Sequence, residues 1–136
     1  MNPIVVQLRS ASIEQGNTPV LEQVDLRLHA GEFTYLIGRT GSGKSSLLKT
    51  LYGALPLRQG MGEVAGFDLR KLNRMNIPLL RRKLGIVFQD FMLLMDRSVD
   101  ENLSFALSAT GWKDKTAIHA RIQEAVADVS LLDHRD

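Results

Sequence analysis

Residues 38–45 read Gly38-Arg39-Thr40-Gly41-Ser42-Gly43-Lys44-Ser45. A phosphate cradle needs backbone N–H groups that point at the anion with no side chain in the way, and glycine permits the closest approach. Gly38, Gly41 and Gly43 provide that freedom. A helix that begins at Lys44 adds the positive end of its dipole beneath the phosphates. The spacing therefore predicts a phosphate-binding loop, the P-loop.

The segments on either side of this loop have the pattern that it requires. From Phe33 to Ile37 the chain is apolar except for Thr34, as expected of a strand covered on both faces of a sheet. After the loop, three leucines share one face of a predicted helix: Leu47, Leu48 and Leu51. The alternative, a glycine turn beside a surface lysine, does not explain this order of strand, loop and helix.

The loop residues predict that the ligand is a nucleoside triphosphate, with Mg-ATP the favoured form. Lys44 can reach the β and γ oxygens, and the Ser45 hydroxyl suits Mg²⁺. ATP and Mg²⁺ are thus the expected cofactors. The predicted nucleotide-binding residues are Gly38, Arg39, Thr40, Gly41, Ser42, Gly43, Lys44, Ser45 and Ser46.

Further strands are predicted before and after the loop. Residues 4–8 are a β-branched run, and residues 24–28 alternate apolar and charged side chains. Residues 60–67 are predicted to be short extended structure with turns. The run Ile86-Val87-Phe88 predicts one more short strand, which ends at Gln89.

Three helices are predicted after the P-loop helix. The first covers residues 77–84, with Pro78 in its first turn, and its basic end is either an anion site or, as we favour, charge suited to a helix C-terminus. A capping box at Ser98 starts the second, which continues to about Gly111. The third follows Asp114. Its predicted buried face comprises Ile118, Ile122, Ala125, Val126 and Val129.

Composition excludes several classes of protein. The chain has 136 residues, and 17 basic against 15 acidic side chains give a net charge of +2. That charge is too small to hold nucleic acid by counterion release, so no nucleic-acid partner is expected. The sequence contains no cysteine, which excludes disulfides and thiolate metal sites. No apolar run approaches the length of a membrane-spanning helix, so membrane association is expected to come through a partner.

Two motifs together resemble the ATP-binding subunits of ABC transporters. The first is the stretch from Tyr35 to Leu48, and the second is Leu84-Gly85-Ile86-Val87-Phe88-Gln89-Asp90. The resemblance runs from about Ile4 to the end of the chain, and the segment after Gln89 is most like the cell-division members. It implies an α/β fold: a P-loop NTPase nucleotide-binding domain, with an antiparallel β subdomain preceding and flanking the P-loop strand and helix.

The resemblance also implies roles for individual residues. The family's glutamine, here Gln89, contacts Mg²⁺ and the attacking water, so Lys44 and Gln89 are the expected catalytic residues and Ser45 and Gln89 the expected metal ligands. From its chemistry alone, Gln89 is a polar residue that ends a buried strand. The implied activity is ATP hydrolysis.

The partners follow from the same resemblance. An FtsX-like polytopic membrane subunit is expected to dock on a surface that begins at Asp90 and ends at Leu107, at the cytoplasmic face of the inner (plasma) membrane. A second ATPase subunit is expected to complete a homodimer. Two alternatives stay open: the ATPase subunit of a lipoprotein-releasing or macrolide-type exporter, and a non-hydrolysing nucleotide-binding fragment. A small-molecule kinase is disfavoured because two predicted strands precede the loop.

Three departures from the family pattern matter. The aromatic residue that stacks on adenine is absent: its position falls at Glu14, beside Ile13, and no aromatic residue precedes Phe33. Weaker or less adenine-selective binding is therefore expected, unless Ile13 substitutes for the aromatic residue by apolar contact. The signature, Walker B and switch-histidine regions lie beyond residue 136, so residues 1–136 are expected to be an incomplete domain that binds nucleotide with little or no hydrolysis. Residues 91–96 imitate a Walker B strand, but Arg97 stands where a glutamate is needed.

Overall fold

The computed structural model describes residues 2–131, and the chain divides into one unit that ends at Gly85 and a second that begins at Ile86. The first unit contains a four-stranded antiparallel sheet in the order β2-β1-β3-β4. Its strands are β1 Ile4–Gln15, β2 Thr18–His29, β3 Gln59–Val64 and β4 Phe67–Asp68. The first unit also contains helices α1 Lys44–Leu51 and α2 Ile77–Arg81 and a 3₁₀ turn at Leu69–Lys71. The predicted antiparallel subdomain is confirmed.

A long hairpin, β1 and β2, forms the first half of this sheet. The two strands reverse at Gly16, whose φ of 66° lies in the left-handed region that glycine adopts without strain. A bulge interrupts β1 at Ser10, where the Asp25 carboxylate accepts a hydrogen bond of 2.9 Å from the Ser10 N–H. The strands predicted at residues 4–8 and 24–28 are parts of this hairpin.

One face of the sheet packs on both helices of the first unit. The buried residues that form this core are Leu8, Ala11, Ile13, Leu47, Leu57, Val64, Leu69 and Leu80. Leu48 is exposed, so the predicted apolar face of α1 is only partly covered. Arg81 donates a hydrogen bond of 3.1 Å to the Tyr52 carbonyl, directly after α1. Arg81, the basic residue in the last turn of α2, thus contacts the end of α1, whereas the favoured interpretation placed the basic charge at the end of its own helix.

In the second unit, residues 86–131 form two helices, α3 Val99–Ala109 and α4 Lys115–Asp128. The capping box is confirmed: Ser98 N–H donates to the Glu101 carboxylate at 2.9 Å, and Glu101 N–H donates to Ser98 Oγ. Asp114 caps α4 through Thr116 N–H at 2.8 Å. The buried residues that join the helices are Ile118, Ile122 and Val126. The prediction for Val129 is wrong, because α4 ends at Asp128 and the side chain of Val129 is exposed.

Two predicted strands do not form in the structure. Residues 33–37 and 86–88 are not in any strand, and Phe33, Ile37 and Val87 are largely exposed. A strand requires hydrogen bonds to a neighbouring strand, and within residues 2–131 no segment pairs with either run. Residues 91–96 form turns, in agreement with the rejection of a Walker B strand there. Across the described residues, the helices all fall short of the length and apolarity that a membrane span needs.

Candidate phosphate-binding site

The P-loop has the backbone conformation of an anion cradle. Gly41 and Gly43 have φ angles of 77° and 91°, in the left-handed region. Within the loop, Ser42 N–H donates to the Arg39 carbonyl at 3.1 Å. Leu47 N–H donates to the Gly43 carbonyl at 2.9 Å and so begins α1. The N–H groups of the first helical turn have no acceptor within the helix, which leaves them available to phosphate oxygens.

The three glycines of the loop meet different constraints. A Cβ atom on Gly38 would lie 2.7 Å from Ser42 Oγ, and one on Gly43 would lie 2.8 Å from Val20 Cγ1 and 2.9 Å from Leu21 Cγ. Gly41 has open space around it, so only its backbone angle favours glycine. The loop is therefore packed closely against β2 at Gly43 and stays open at Gly41.

Lys44 folds back onto the loop that precedes it. Its Nζ donates hydrogen bonds of 2.6 Å to the Gly38 carbonyl and 2.7 Å to the Arg39 carbonyl, and lies 3.4 Å from Ser42 Oγ. These contacts hold a positive charge inside the curve of the loop. An ammonium group in that position is suited to bind phosphate as a point charge.

The rest of the loop leaves room for an anion. Arg39, Thr40 and Ser45 are exposed, whereas the Ser46 side chain is buried, so Ser46 can contact a phosphate only through its N–H. Helix α1 has no acidic residue in its first turn, and no side chain caps it. A carboxylate there would repel phosphate, so the electrostatics favour an anionic ligand.

A magnesium ion fits this site if it arrives with the nucleotide. The exposed Ser45 hydroxyl is the hard oxygen donor that Mg²⁺ prefers. Among the residues that the structure describes, no group of three or more His, Asp or Glu side chains could hold a metal. Mg²⁺ commonly takes its ligands from water and substrate phosphates, with few protein ligands. The predicted metal role of Ser45 is consistent with this chemistry.

Gln89 lies in the second unit, in an exposed turn. The turn is closed by a hydrogen bond of 3.1 Å from Phe91 N–H to the Phe88 carbonyl. Its predicted roles toward Mg²⁺ and water stay predictions, because the P-loop belongs to the first unit.

An exposed apolar turn follows Gln89. Its exposed side chains are Phe91, Met92, Leu93 and Met95, and Met95 is 89% exposed. Phe91 and Met92 have left-handed φ angles of 58° and 54°, which cost energy in residues other than glycine. The surface predicted to bind a membrane subunit, Asp90 to Leu107, therefore begins with strained, exposed hydrophobic residues.

Asn102 anchors this turn, and sequence reasoning missed it. Its amide oxygen accepts from Leu94 N–H at 2.9 Å, and its amide nitrogen donates to the carbonyls of Leu94 at 3.0 Å and Ser98 at 2.9 Å. One side chain thus ties the turn to α3. The available signal was an asparagine in the first turns of a helix, where its short amide can bond to nearby backbone.

Ile13 is not placed to substitute for the missing aromatic residue by apolar contact. Its side chain is 0% exposed and belongs to the core of the first unit. A fully buried residue cannot contact a nucleotide base, so weaker or less adenine-selective binding stays the prediction.

Comparison with known proteins identifies the family. Residues 21–136 match the family described as ABC transporter. The cell division ATP-binding protein FtsE of Streptococcus pneumoniae serotype 2 is 36% identical over 132 residues, which is 96% of this chain and 56% of that protein. FtsE of Escherichia coli K12 is 36% identical over 118 residues, 87% of this chain and 53% of that protein. The chain thus spans about half the length of the curated relatives it matches.

Solved structures agree on the fold. CbiO1 from Clostridium perfringens, part of the ABC transporter complex cbiONQ, has a TM-score of 0.85 at 24% identity and covers 100% of this chain and 54% of its own. The ATP-binding cassette MJ0796, solved as a dimer bound to ADP and Pi, has a TM-score of 0.75 at 25% identity over 90% of this chain and 56% of its own. With its P-loop and its antiparallel sheet, the chain belongs to the ABC transporter family.

Proposed function

We propose that the chain is the ATP-binding part of an ABC-type ATPase subunit that acts with a membrane partner in cell division. The observation that carries the proposal is the Lys44 ammonium, held 2.6 Å from the Gly38 carbonyl inside a loop whose helix begins with free N–H groups. Similarity to FtsE proteins of several bacteria supports the cell-division assignment.

The residues of the loop perform the binding half of phosphoryl transfer. Lys44 and the N–H groups at the start of α1 neutralise and orient the β- and γ-phosphates, and bound Mg²⁺ would add charge neutralisation from the Ser45 side. Transfer to water also needs a group that positions the nucleophile, the role proposed for Gln89. We expect this chain alone to bind ATP with a turnover below about 1 s⁻¹.

Calorimetric titration with Mg-ATP tests the binding site directly. Lys44→Ala removes a charged hydrogen-bond donor, which is worth about 1.5–3 kcal/mol, and should weaken binding roughly 10- to 100-fold. Lys49→Ala is the matched control, because Lys49 is an exposed lysine near the other end of α1. Equal affinity of both variants for Mg-ATP would overturn the proposal, and a phosphate-release assay on the same samples checks the turnover.

The proposed partner is an FtsX-like membrane subunit that docks on the surface from Asp90 to Leu107, at the cytoplasmic face of the plasma membrane. The exposed turn after Gln89, which Asn102 holds in place, supports this proposal because it offers an apolar patch on a fixed backbone. A second ATPase subunit would complete a homodimer. The ATPase subunit of a lipoprotein-releasing or macrolide-type exporter is the alternative that shares this surface.

Co-purification with candidate membrane subunits separates the two assignments. We expect capture by an FtsX-like subunit and not by an exporter subunit. Met95→Asp should abolish capture, since it places a charge on the apolar patch, whereas Met75→Asp, at an equally exposed methionine of the first unit, should not. Capture by the exporter subunit alone would contradict the cell-division assignment, and capture that Met95→Asp leaves unchanged would contradict the docking surface.

A further inference from the structure

Residues 69–85 of the first unit, here called the basic segment, carry charge of one sign. The whole chain is nearly balanced, with 17 basic and 15 acidic side chains, but this segment contains no acidic residue. Its basic residues are Arg70, Lys71, Arg74, Arg81, Arg82 and Lys83. A local excess of positive charge attracts an anionic partner even where the net charge of the chain is small.

Apolar side chains fix the basic segment on the core of the first unit. Leu69 and Leu80 are buried, and Leu72 and Leu84 pack against the same core. Arg82 follows Leu80 by two positions, which places it on nearly the opposite side of a helix with 3.6 residues per turn. The apolar side of the segment therefore faces the core, and all of its basic side chains are exposed at the surface.

Most of these charges have no counter-ion within the protein. Lys71 forms an ion pair of 3.3 Å with Asp68, and Arg81 is directed toward the carbonyl that follows α1. Among the residues that the structure describes, no carboxylate forms an ion pair with the others, which are Arg70, Arg74, Arg82 and Lys83. These cations are available to an external anion.

The turn before α2 presents a hydrophobic side chain among these charges. Asn73 Oδ1 accepts from Met75 N–H at 2.8 Å, and Asn76 Oδ1 accepts from Asn73 N–H at 2.7 Å. These bonds close a turn on which Arg74 is exposed and Met75 is 84% exposed. Leu79, in α2, is also exposed. Apolar side chains among cations suit an anionic bilayer, where the charges meet headgroups and the apolar groups enter the acyl boundary.

We propose that the basic segment binds directly to the surface of an anionic phospholipid membrane. Each Lys or Arg held near such a surface strengthens binding several-fold. A nucleic-acid partner is disfavoured because residues 69–85 contain no aromatic side chain on which a base could stack. The inference goes beyond the proposed function, since it concerns lipid and not the protein partner in the membrane.

Flotation of the native chain with lipid vesicles tests the proposal. The chain should float with vesicles of phosphatidylcholine and phosphatidylglycerol in equal amounts and not with phosphatidylcholine alone. Added salt should weaken the binding, because it screens exposed charges. The double variant Arg82→Gln with Lys83→Gln should lose about tenfold or more in affinity. Arg9→Gln with Arg27→Gln, at exposed arginines of β1 and β2, removes the same charge and should leave binding unchanged.

A second pair of variants tests the apolar contact. Met75→Ser should weaken binding to the anionic vesicles about threefold or more, because serine has no apolar side chain to enter the bilayer. Met61→Ser, at an exposed methionine of β3, is the matched control and should have no effect. Capture of a membrane subunit is measured in detergent, where no bilayer is present, so substitutions at Met75 can change vesicle binding without changing capture.

The outcomes separate this inference from the proposed function. Equal losses in the two double variants would show that net charge, and not the basic segment, drives binding, and would overturn the proposal. Equal flotation with both kinds of vesicle would also contradict it. Binding to polyuridine without flotation would identify a nucleic-acid surface instead. None of these results affects Mg-ATP binding or capture in detergent, on which the proposed function depends. Thermal unfolding of each variant confirms that its fold is intact.

Discussion

The phosphate-binding loop, residues 38–45, and the apolar segment before it, residues 33–37, are adjacent in sequence but differ in what fixes their structure. The loop is polar, yet its own residues supply its contacts: Lys44 bonds to the Gly38 carbonyl and Ser42 to that of Arg39. The apolar segment is exposed, with no strand beside it in residues 2–131. Local contacts thus define a polar loop, while a hydrophobic run stays irregular where no distant strand pairs with it.

Truncation of one buried and one exposed aliphatic residue tests this difference most strongly. Leu80 is 0% exposed in the core of the first unit, and Ile37 is 88% exposed. Leu80→Ala should lower the free energy of unfolding by about 2–5 kcal/mol through lost burial and a cavity. Ile37→Ala should change it by less than about 0.5 kcal/mol. Urea denaturation of both variants measures the two effects.

A large loss of stability in Ile37→Ala would contradict the exposed position of the apolar segment. If that variant lost about 2 kcal/mol or more, the apolar segment would be buried in solution, through pairing with another strand or another molecule. Retention of full stability by Leu80→Ala would instead contradict the described core.

Two glycines of the loop, Gly41 and Gly43, differ in how closely other side chains pack against them. Both have left-handed φ angles, but only Gly43 has side chains against the position of a Cβ atom. Gly41→Ala should weaken the binding of Mg-ATP by about 1–2 kcal/mol, because alanine is strained at this backbone angle. Gly43→Ala should weaken the binding of Mg-ATP by about 1–3 kcal/mol more than Gly41→Ala does, because Val20 and Leu21 must move to make room for the new Cβ atom. Titration with Mg-ATP measures both as losses of affinity. Equal losses would show that the close packing on β2 has no influence on the loop.

Sequence reasoning succeeded where contacts are short in sequence. The start of α1 at Lys44, the capping box of Ser98 with Glu101, and the start of α4 after Asp114 all depend on residues a few positions apart. Their spacing alone determines which atoms can meet, so the pattern is visible in the sequence. Gln89 was different, since only the family resemblance singled it out.

The failures involve contacts that are distant in sequence. Arg58 contacts Asn17 and Glu14, which lie 41 and 44 residues away in the sequence. No local sequence pattern predicts contacts over such distances. Contact between Ile13 and a base stayed open because the sequence does not reveal which face of β1 packs on the helices. The strands at residues 33–37 and 86–88 were inferred from hydrophobicity, which indicates a tendency to be buried but not the partner that buries it.

The smallest predicted effect concerns Glu32, the last residue before the apolar segment. Its carboxylate accepts a hydrogen bond of 2.7 Å from His29 N–H and lies 3.0 Å from His29 Nδ1. The backbone hydrogen bond from His29 and then its side chain lower the pKa of Glu32 below the usual 4.5. A carboxyl group with a lowered folded pKa stabilises the protein above its unfolded pKa, and this contribution is lost as pH falls through the folded value.

The native chain should therefore lose slightly more stability than Glu32→Gln when the pH is lowered from above 4.5 to below it. The glutamine side chain can still accept from His29 N–H but does not titrate. Urea midpoints of the two proteins across this range measure the difference, which should be small because Glu32 is at the surface. Parallel pH profiles would mean that the hydrogen bonds from His29 to the Glu32 carboxylate do not form in solution. The local contacts that end β2 would then be no more ordered than the apolar segment that follows them.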